Sequence, residues 1–467
     1  MPQASTRASV IFAALLGGDM NASGWLLTLV LIAAVGFAGF AWVRAEGELP
    51  ALEGPEELVV GRGGVKVDLR VSDQSSGLRS VRVAITHPGG EQVLLDESYP
   101  GNLLSGGVRN EHATSLDLDP ERIGDAKGAV ALRITVHDWS WRGGFGGNET
   151  RRDVPLRVDL EPPRIGVHSG LTYVRQGGSG SVAYQLSETA ARDGVRIGAA
   201  EFRGFPRPGG GASERIALFA VPTDADANAP VRVFAEDAAG NASEAAWSVV
   251  VQPYAQPEGR VQLSASFLEL VVPRLAPQGA VVNPDAAFHD VNTRVRAENE
   301  ARIRQLVADT APEPLFSGNL HQLANSKVTS RFGERRTYWV DDREISRAVH
   351  YGYDLASFAA APVTASAAGR VLYAGDLGIY GNCVLLDHGL GLSSLYGHMS
   401  RIDVEAGARV EGDQVLGLTG ATGLAGGDHL HFALLVGDIY VDPLEWWDAK
   451  WVTEHVEPNL HPQVQVQ

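Results

Sequence analysis

The sequence predicts a mainly β protein, with one N-terminal transmembrane helix, two β-sandwich segments and a C-terminal domain built on an antiparallel sheet. Three observations predict it. Residues 24–43 run without a charge. From about residue 59 to 251, short stretches of alternating apolar and polar residues are broken by Gly, Asn, Asp and Pro, with little helical periodicity. From 326 to 442 the alternation returns, punctuated by glycines such as Gly369, Gly375, Gly378, Gly381 and Gly389, and here histidines gather.

A chain of 467 residues exceeds what one hydrophobic core accommodates and divides into roughly three or four folded units. The division read from these patterns is a short tail at 1–23, an anchor at 24–43, sandwiches at 54–160 and 161–253, a linker with a helix at 254–320, the histidine-bearing domain at 321–449 and a tail at 450–467. Apolar residues make up 44% and charged residues 20%, enough burial for a folded chain. With 39 Lys and Arg against 56 Asp and Glu, the net charge of -17 opposes any grip on phosphate backbones, so nucleic acid is excluded as a partner. Cys383 is the single cysteine. Neither an intramolecular disulfide nor a CxxC metal knuckle can form, and any metal must be held by His and carboxylates. Within NCVLL, Cys383 itself reads as a buried strand residue.

The 20 residues of the uncharged run, at about 1.5 Å each, cross about 30 Å of hydrocarbon. Trp25 and Trp42 stand at its ends, where interfacial aromatics belong. The run is longer than the apolar core of a typical signal peptide, and no clean small-x-small cleavage site follows it. Arg7 before it and Arg44 after it barely discriminate orientation. The expectation is a single-pass anchor in the inner (plasma) membrane with a short cytoplasmic tail and the rest of the chain periplasmic. Met20 is a rival start.

Within the β-rich region, VKVDLRVSDQSSGLRSVRV (65–83) resembles SVAYQLSETAARDGVRIG (181–198), each a strand, a polar turn with Gly and a strand. Farther on, residues 131–160 and 230–251 both read as strand, Asp-to-Gly-Asn turn and closing strand. The matching residues are Asp138, Gly147 and Asn148, then Asp237, Gly240 and Asn241. The pair is similar to tandem bacterial immunoglobulin-like domains, which implies spacers holding a head away from the membrane. In the linker, Asn283 and Pro284 open a helix with Phe288, Val291, Val295, Ile303 and Leu306 roughly on one face.

Four of the 13 histidines lie in HYGYD (350–354), LYGHMS (395–400) and DHLHF (428–432). Alternate side chains of a strand share a face, so His429 and His431 point the same way, as do His350 and Asp354 with Gly352 between them. Imidazole and carboxylate are zinc's ligands where thiolate is lacking, and a catalytic site keeps a position for water. Two His and one Asp as ligands leave two His to orient a water or stabilise an oxyanion. His388, in LLDHG, reads as a residue of a polar turn outside the metal shell.

From about Ser326 to Leu444 the chain resembles the lysostaphin-type (LytM-type) zinc metallopeptidases. The likeness runs through SRFGERR (330–336), HYGYD, APVTASAAGRVLYAG (361–375), YGNCVLLDHG (380–389), LYGHMS, GARVEGDQVLG (407–417) and GATGLAGGDHLHF (420–432). It implies an antiparallel β fold with a duplicated hybrid motif, zinc held by His350, Asp354 and His431, and His398 and His429 as the catalytic pair. It also implies peptidoglycan as substrate, cut in its cross-links or stem peptides. All five residues are present, whereas members that only activate amidases usually lack some. Cys383 stands where an aliphatic residue is usual. Arg335, Arg336 and Tyr338 read either as a grip on an acidic wall peptide or as a solvated loop. The rival functions are an anchored scaffold, binding an envelope protein partner and retaining the zinc site, and a hydrolase whose cleft is covered by the 283–310 helix until a partner moves it.

Overall fold

In the computed structural model, which describes residues 22–123, 129–276 and 283–461, the uncharged run folds as one helix, Ala22–Arg44. It is long and apolar enough to cross a membrane, and no residue of its apolar stretch is buried within the protein. The expectations placed on Arg7 and Met20 lie outside the described residues. The chain forms two units, residues 1–160 and 161–467.

In the first unit, Ala51–Glu53, Val65–Ser72 and Glu111–Leu118 make one sheet. Leu58–Val60, Glu149–Val158, Val130–Asp138, Leu78–His87 and Gly90–Ser98 make the other. Alternation along these strands buries Val67, Leu69 and Val71 from the first sheet and Val81, Val83, Ile85, Leu132, Ile134 and Val136 from the second, in one shared core.

Residues 165–252 of the second unit repeat part of this plan. Ser179–Leu186 and Arg192–Ile197 fall in different sheets, as Val65–Ser72 and Leu78–His87 do. The Asp turns also repeat. Asp138 Oδ1 accepts from the backbone N–H of Ser140 and Asn148, and the Asn148 amide returns to Asp138 Oδ2 at 2.8 Å. Asp237 does the same with Ala239, Asn241 and the Asn241 amide, again at 2.8 Å. In each case a buried carboxylate satisfies turn N–H groups that no strand can pair.

The linker is more ordered than a connector. Glu258–Gln262 pairs in parallel with Glu334–Val340, which pairs with Arg343–His350. Asn283 caps the helical run, its side chain accepting from Ala286 N at 3.2 Å. The run is not one regular helix: Pro284–Asp290 and Arg296–Val307 are joined by a π turn at Val291–Val295. Phe288, Val291, Val295 and Ile303 are buried as the stripe requires. The π turn also buries Asn292, which donates to Ser346 Oγ at 2.8 Å.

The C-terminal sheet runs Lys327–Ser330, Tyr353–Ala356, Leu430–Val436, Leu392–Met399, Asn382–Gly389, Gly369–Asp376 and Arg409–Val410, with Ile439–Val441 also on Leu430–Val436. Every pairing is antiparallel. The middle strands Leu392–Met399 and Leu430–Val436 are buried at every residue, because both faces are covered. Leu435 and Ala433 pack into one core. Leu434 and Val436 pack into another, shared with Phe219 and Val233 of the preceding β segment. Trp446, fully buried, donates to Ser179 Oγ at 2.9 Å, and Arg175 pairs with Asp442 at 2.6 Å across the same contact.

Three sequence readings are corrected here. Residues 449–460 are not a loose tail: Ala449–His455 and Glu457–Leu460 are helices whose Val452, Val456 and Leu460, four residues apart, enter that shared core. His388 is in a strand and not in a polar turn. It lies fully buried near the end of Asn382–Gly389, its Nδ1 donating to Ala368 O and its Nε2 paired with Ser394 Oγ, both at 2.7 Å. Residues 335–338 form a strand, not a solvated loop, and Tyr338 is buried against Phe288 with ring centroids 5.1 Å apart.

Cys383 is fully buried, and burial pushes its thiol up to about 12. The native chain is expected to consume no thiol reagent at pH 8, and to consume one equivalent only after unfolding. Rapid labelling of the native state would contradict the buried strand position.

Candidate active site

His350 ends the strand Arg343–His350, Asp354 lies in Tyr353–Ala356 and His431 in Leu430–Val436. His350 and Asp354 therefore do not share a strand, as their spacing had implied. The chain breaks at Tyr351 and Gly352 and changes sheet, and the turn, not strand alternation, brings the two together. Asp354 and His431 are direct cross-strand partners, and on its other side His431 pairs with Gly397, next to His398.

Three donor atoms converge. His350 Nε2 is 3.0 Å from Asp354 Oδ1 and 3.1 Å from His431 Nδ1, and His431 Nδ1 is 3.1 Å from the same Oδ1. One proton cannot serve three acceptors so placed; a cation can. Ligands about 2.0–2.1 Å from a tetrahedral zinc lie about 3.3 Å apart, close to this triangle. The outer contacts set the donors' orientation. His350 Nδ1 donates to Arg331 O at 3.0 Å, leaving Nε2 with its lone pair inward. Arg336 holds the other carboxylate oxygen of Asp354 at 2.8 Å, and Glu334 at 2.8 Å.

Arg336 is thus committed to orienting Asp354 and is not free to grip a peptide; the sequence did not reveal this, because the contact joins two sheets. Its guanidinium is held protonated despite its burial, chiefly by Asp354.

Gly352 is required by a close approach. A Cβ there would stand 2.6 Å from His431 Cε1 and 2.6 Å from the Phe432 carbonyl oxygen, which is backbone and cannot yield. Gly352→Ala is expected to displace His431 and weaken metal binding by at least about tenfold, measured by competition with a chromogenic chelator. Unchanged affinity would contradict this packing.

The two remaining imidazoles complete the wall. His398 adopts φ 63, uncommon for a non-glycine residue, and its Nδ1 donates to Thr422 O at 2.8 Å. His429 Nδ1 donates to Gly427 O at 2.8 Å and its Nε2 lies 3.6 Å from Asp354 Oδ1. The His398 ring is 4.8 Å from that of His429 and 5.8 Å from that of His431. Burial, aided by the neighbouring imidazoles, pushes His398 down to about 3, and burial pushes His431 down to about 4. His429 moves the other way: burial opposes its charge, but Asp354 overcomes that and raises it. Burial works against ionised Asp354 as well, yet the surrounding histidines hold it well below the usual carboxylate range.

These groups line a cavity of about 530 Å³. Its lining also includes residues outside the histidine motifs: Phe267, Leu270, Phe288, Arg296 and Tyr380. Phe288 therefore serves core and cleft together, and nothing in the helical stripe distinguished it from an ordinary core residue.

Three donors thus converge, flanked by two further imidazoles and set on a buried antiparallel sheet, an arrangement that fits a metal ion. Residues 348–443 match peptidase family M23, and the C-terminal region carries the peptidase M23 (LytM-type) domain and its fold. The chain is 33% identical over 126 residues to the DD-carboxypeptidase/endopeptidase Mpg of Neisseria meningitidis, covering 27% of this chain and 28% of that protein. It is 36% identical over 110 residues to the peptidoglycan DD-endopeptidase ShyA of Vibrio cholerae, covering 24% and 25%. Among solved structures, the lysostaphin catalytic domain of Staphylococcus simulans is 26% identical, covering 28% of this chain and 98% of that one, with a TM-score of 0.24. The chain spans little more than a quarter of the length of the curated relatives it matches.

Proposed function

We propose that this protein is a zinc metalloendopeptidase that hydrolyses peptide bonds of peptidoglycan, in its cross-links or stem peptides. The observation that carries this is the 3.0–3.1 Å triangle of His350 Nε2, Asp354 Oδ1 and His431 Nδ1. Those three residues would hold zinc, which when bound supplies Lewis acidity and makes a water nucleophilic near neutral pH. Arg336 and the Arg331 carbonyl fix the carboxylate and the His350 tautomer. His429, drawn to Asp354, receives the proton of the attacking water. His398 is neutral and keeps Nδ1–H on Thr422 O, so its Nε2 accepts a hydrogen bond from that water and orients it, while the proton taken up by His429 passes to the nitrogen of the cleaved bond.

The helix Ala22–Arg44 is read as a single-pass inner-membrane anchor with the peptidase domain outside the cytoplasm. The β segments at 54–160 and 161–253 are read as immunoglobulin-like sandwiches, and 321–449 as the peptidase domain proper. DD-endopeptidases among the relatives make the cross-link bond the first to test.

Full-length protein, loaded with zinc in detergent and incubated with purified peptidoglycan, is expected to release muropeptides with new peptide ends, identified by mass spectrometry. A chain that binds zinc stoichiometrically and releases none would instead be an envelope scaffold that retains the site.

A further inference from the structure

The end of the first β unit nearest the apolar helix does not stop at the helix terminus. Trp141 packs back along it, its ring 5.5 Å from Phe40 and 6.5 Å from Phe37. Phe40 and Phe37 precede Arg44 by four and seven residues, so at about 1.5 Å per residue they lie about 6–10 Å inside the span. The polar layer on each side of the hydrocarbon is only about 5–8 Å thick. A ring that touches those residues is therefore at the depth of the lipid headgroups or below.

The loops around Trp141 suit that depth. Leu104 is 70%, Val108 79% and Phe145 53% exposed, an apolar rim on two adjacent loops. Their polar groups turn inward. Trp141 Nε1 donates to Leu103 O at 2.6 Å, and Asn102 Oδ1 accepts from the N–H of Leu104 and Ser105 at 2.9 Å. Phe145 N and Gly147 N close onto Trp141 O and Arg142 O at 3.2 and 3.1 Å. Backbone satisfied in this way tolerates a low-water environment. Arg44, itself buried, ties the helix end to both loops through Leu103 O at 3.2 Å and Trp139 O at 2.6 Å. Arg142 and Arg79 hold the same loops through Ala45 O and Phe145 O, placing cationic groups where lipid phosphates lie.

We propose that the first β unit is seated on the lipid surface, with the loops at 101–108 and 139–147 sunk into the interfacial layer beside the membrane-crossing helix. The inference rests on Ala22–Arg44 being a membrane span and is independent of the peptidase reading. The anchor then holds the unit in a fixed orientation on the membrane, because Arg44, Arg142 and an aromatic contact fasten its loops to the helix end.

The test uses the full chain reconstituted in phosphatidylethanolamine/phosphatidylglycerol vesicles, with an environment-sensitive fluorophore on Leu104→Cys, Phe145→Cys or, as control, Glu91→Cys. Buried Cys383 stays unlabelled. Glu91 pairs with Thr86 at the other end of the ten-residue strand Leu78–His87, about 25–30 Å from the loops. Nitroxide lipids labelled near the headgroup are expected to quench positions 104 and 145 at least about threefold more than position 91, with blue-shifted emission. Equal quenching at all three sites, in protein that resists alkaline extraction, overturns the seated unit while leaving the anchor intact. Release of the protein by alkaline carbonate overturns both, and neither result bears on zinc binding or hydrolysis.

Discussion

Replacing Asp354 by Ala is expected to abolish stoichiometric zinc binding and to lower peptidoglycan hydrolysis by at least about a thousandfold, about 4 kcal/mol of transition-state stabilisation. The size follows from the position of Asp354. One oxygen closes the donor triangle at 3.0 and 3.1 Å, and the other receives the Arg336 guanidinium at 2.8 Å. Truncation removes a ligand and also leaves Arg336 with only its Glu334 partner among the two carboxylates. A destabilisation of about 1–3 kcal/mol in the metal-free protein is expected to accompany the loss, because a buried charge loses a hydrogen-bonded partner. Asp354→Asn separates the effects. It keeps an acceptor for Arg336 and most of the stability, but it removes the negative charge that zinc requires. Zinc content by mass spectrometry, urea unfolding of metal-free protein and muropeptide release are the three readouts. Full zinc occupancy in Asp354→Ala would remove Asp354 from the ligand set.

The second large effect falls on His398, which approaches the site without belonging to the triangle. His398→Ala is expected to retain one zinc per chain and to lose about 10²–10⁴ in kcat with little change in KM, since its contribution is made to orienting the attacking water. Its Nδ1 is fixed on Thr422 O at 2.8 Å and its ring lies 5.8 Å from that of His431, so removing it disturbs no donor of the triangle. His429→Ala is expected to lose a similar factor in kcat but also to loosen Asp354, whose Oδ1 lies 3.6 Å from His429 Nε2. A clear fall in zinc affinity for His429→Ala, and none for His398→Ala, is the expected contrast. If His398→Ala alone lost its zinc, the assignment of ligands would have to change.

The parts of this protein legible in its sequence are those governed by local periodicity and by residue chemistry. Twenty uncharged residues forecast the helix Ala22–Arg44, alternation forecast the strands, and Asn283 before Pro284 forecast a cap. Imidazole and carboxylate as the ligand types were legible because the chain has one cysteine, whereas the choice of His350, Asp354 and His431 was implied by the resemblance to the lysostaphin-type peptidases. Tertiary structure decided what joins these elements. It brought His350 and Asp354 together through a turn between two sheets, where spacing alone read as one strand face. It took Arg336 for the carboxylate, and it turned residues 449–455 and 457–460 into helices whose Val452 and Val456 complete a core with Phe219. The physical reason is range: strand and helix patterns repeat every two or 3.6 residues and can be read along the chain. Which apolar face covers which, and which cation neutralises a buried carboxylate, depends on residues far apart in sequence that meet only when the chain folds.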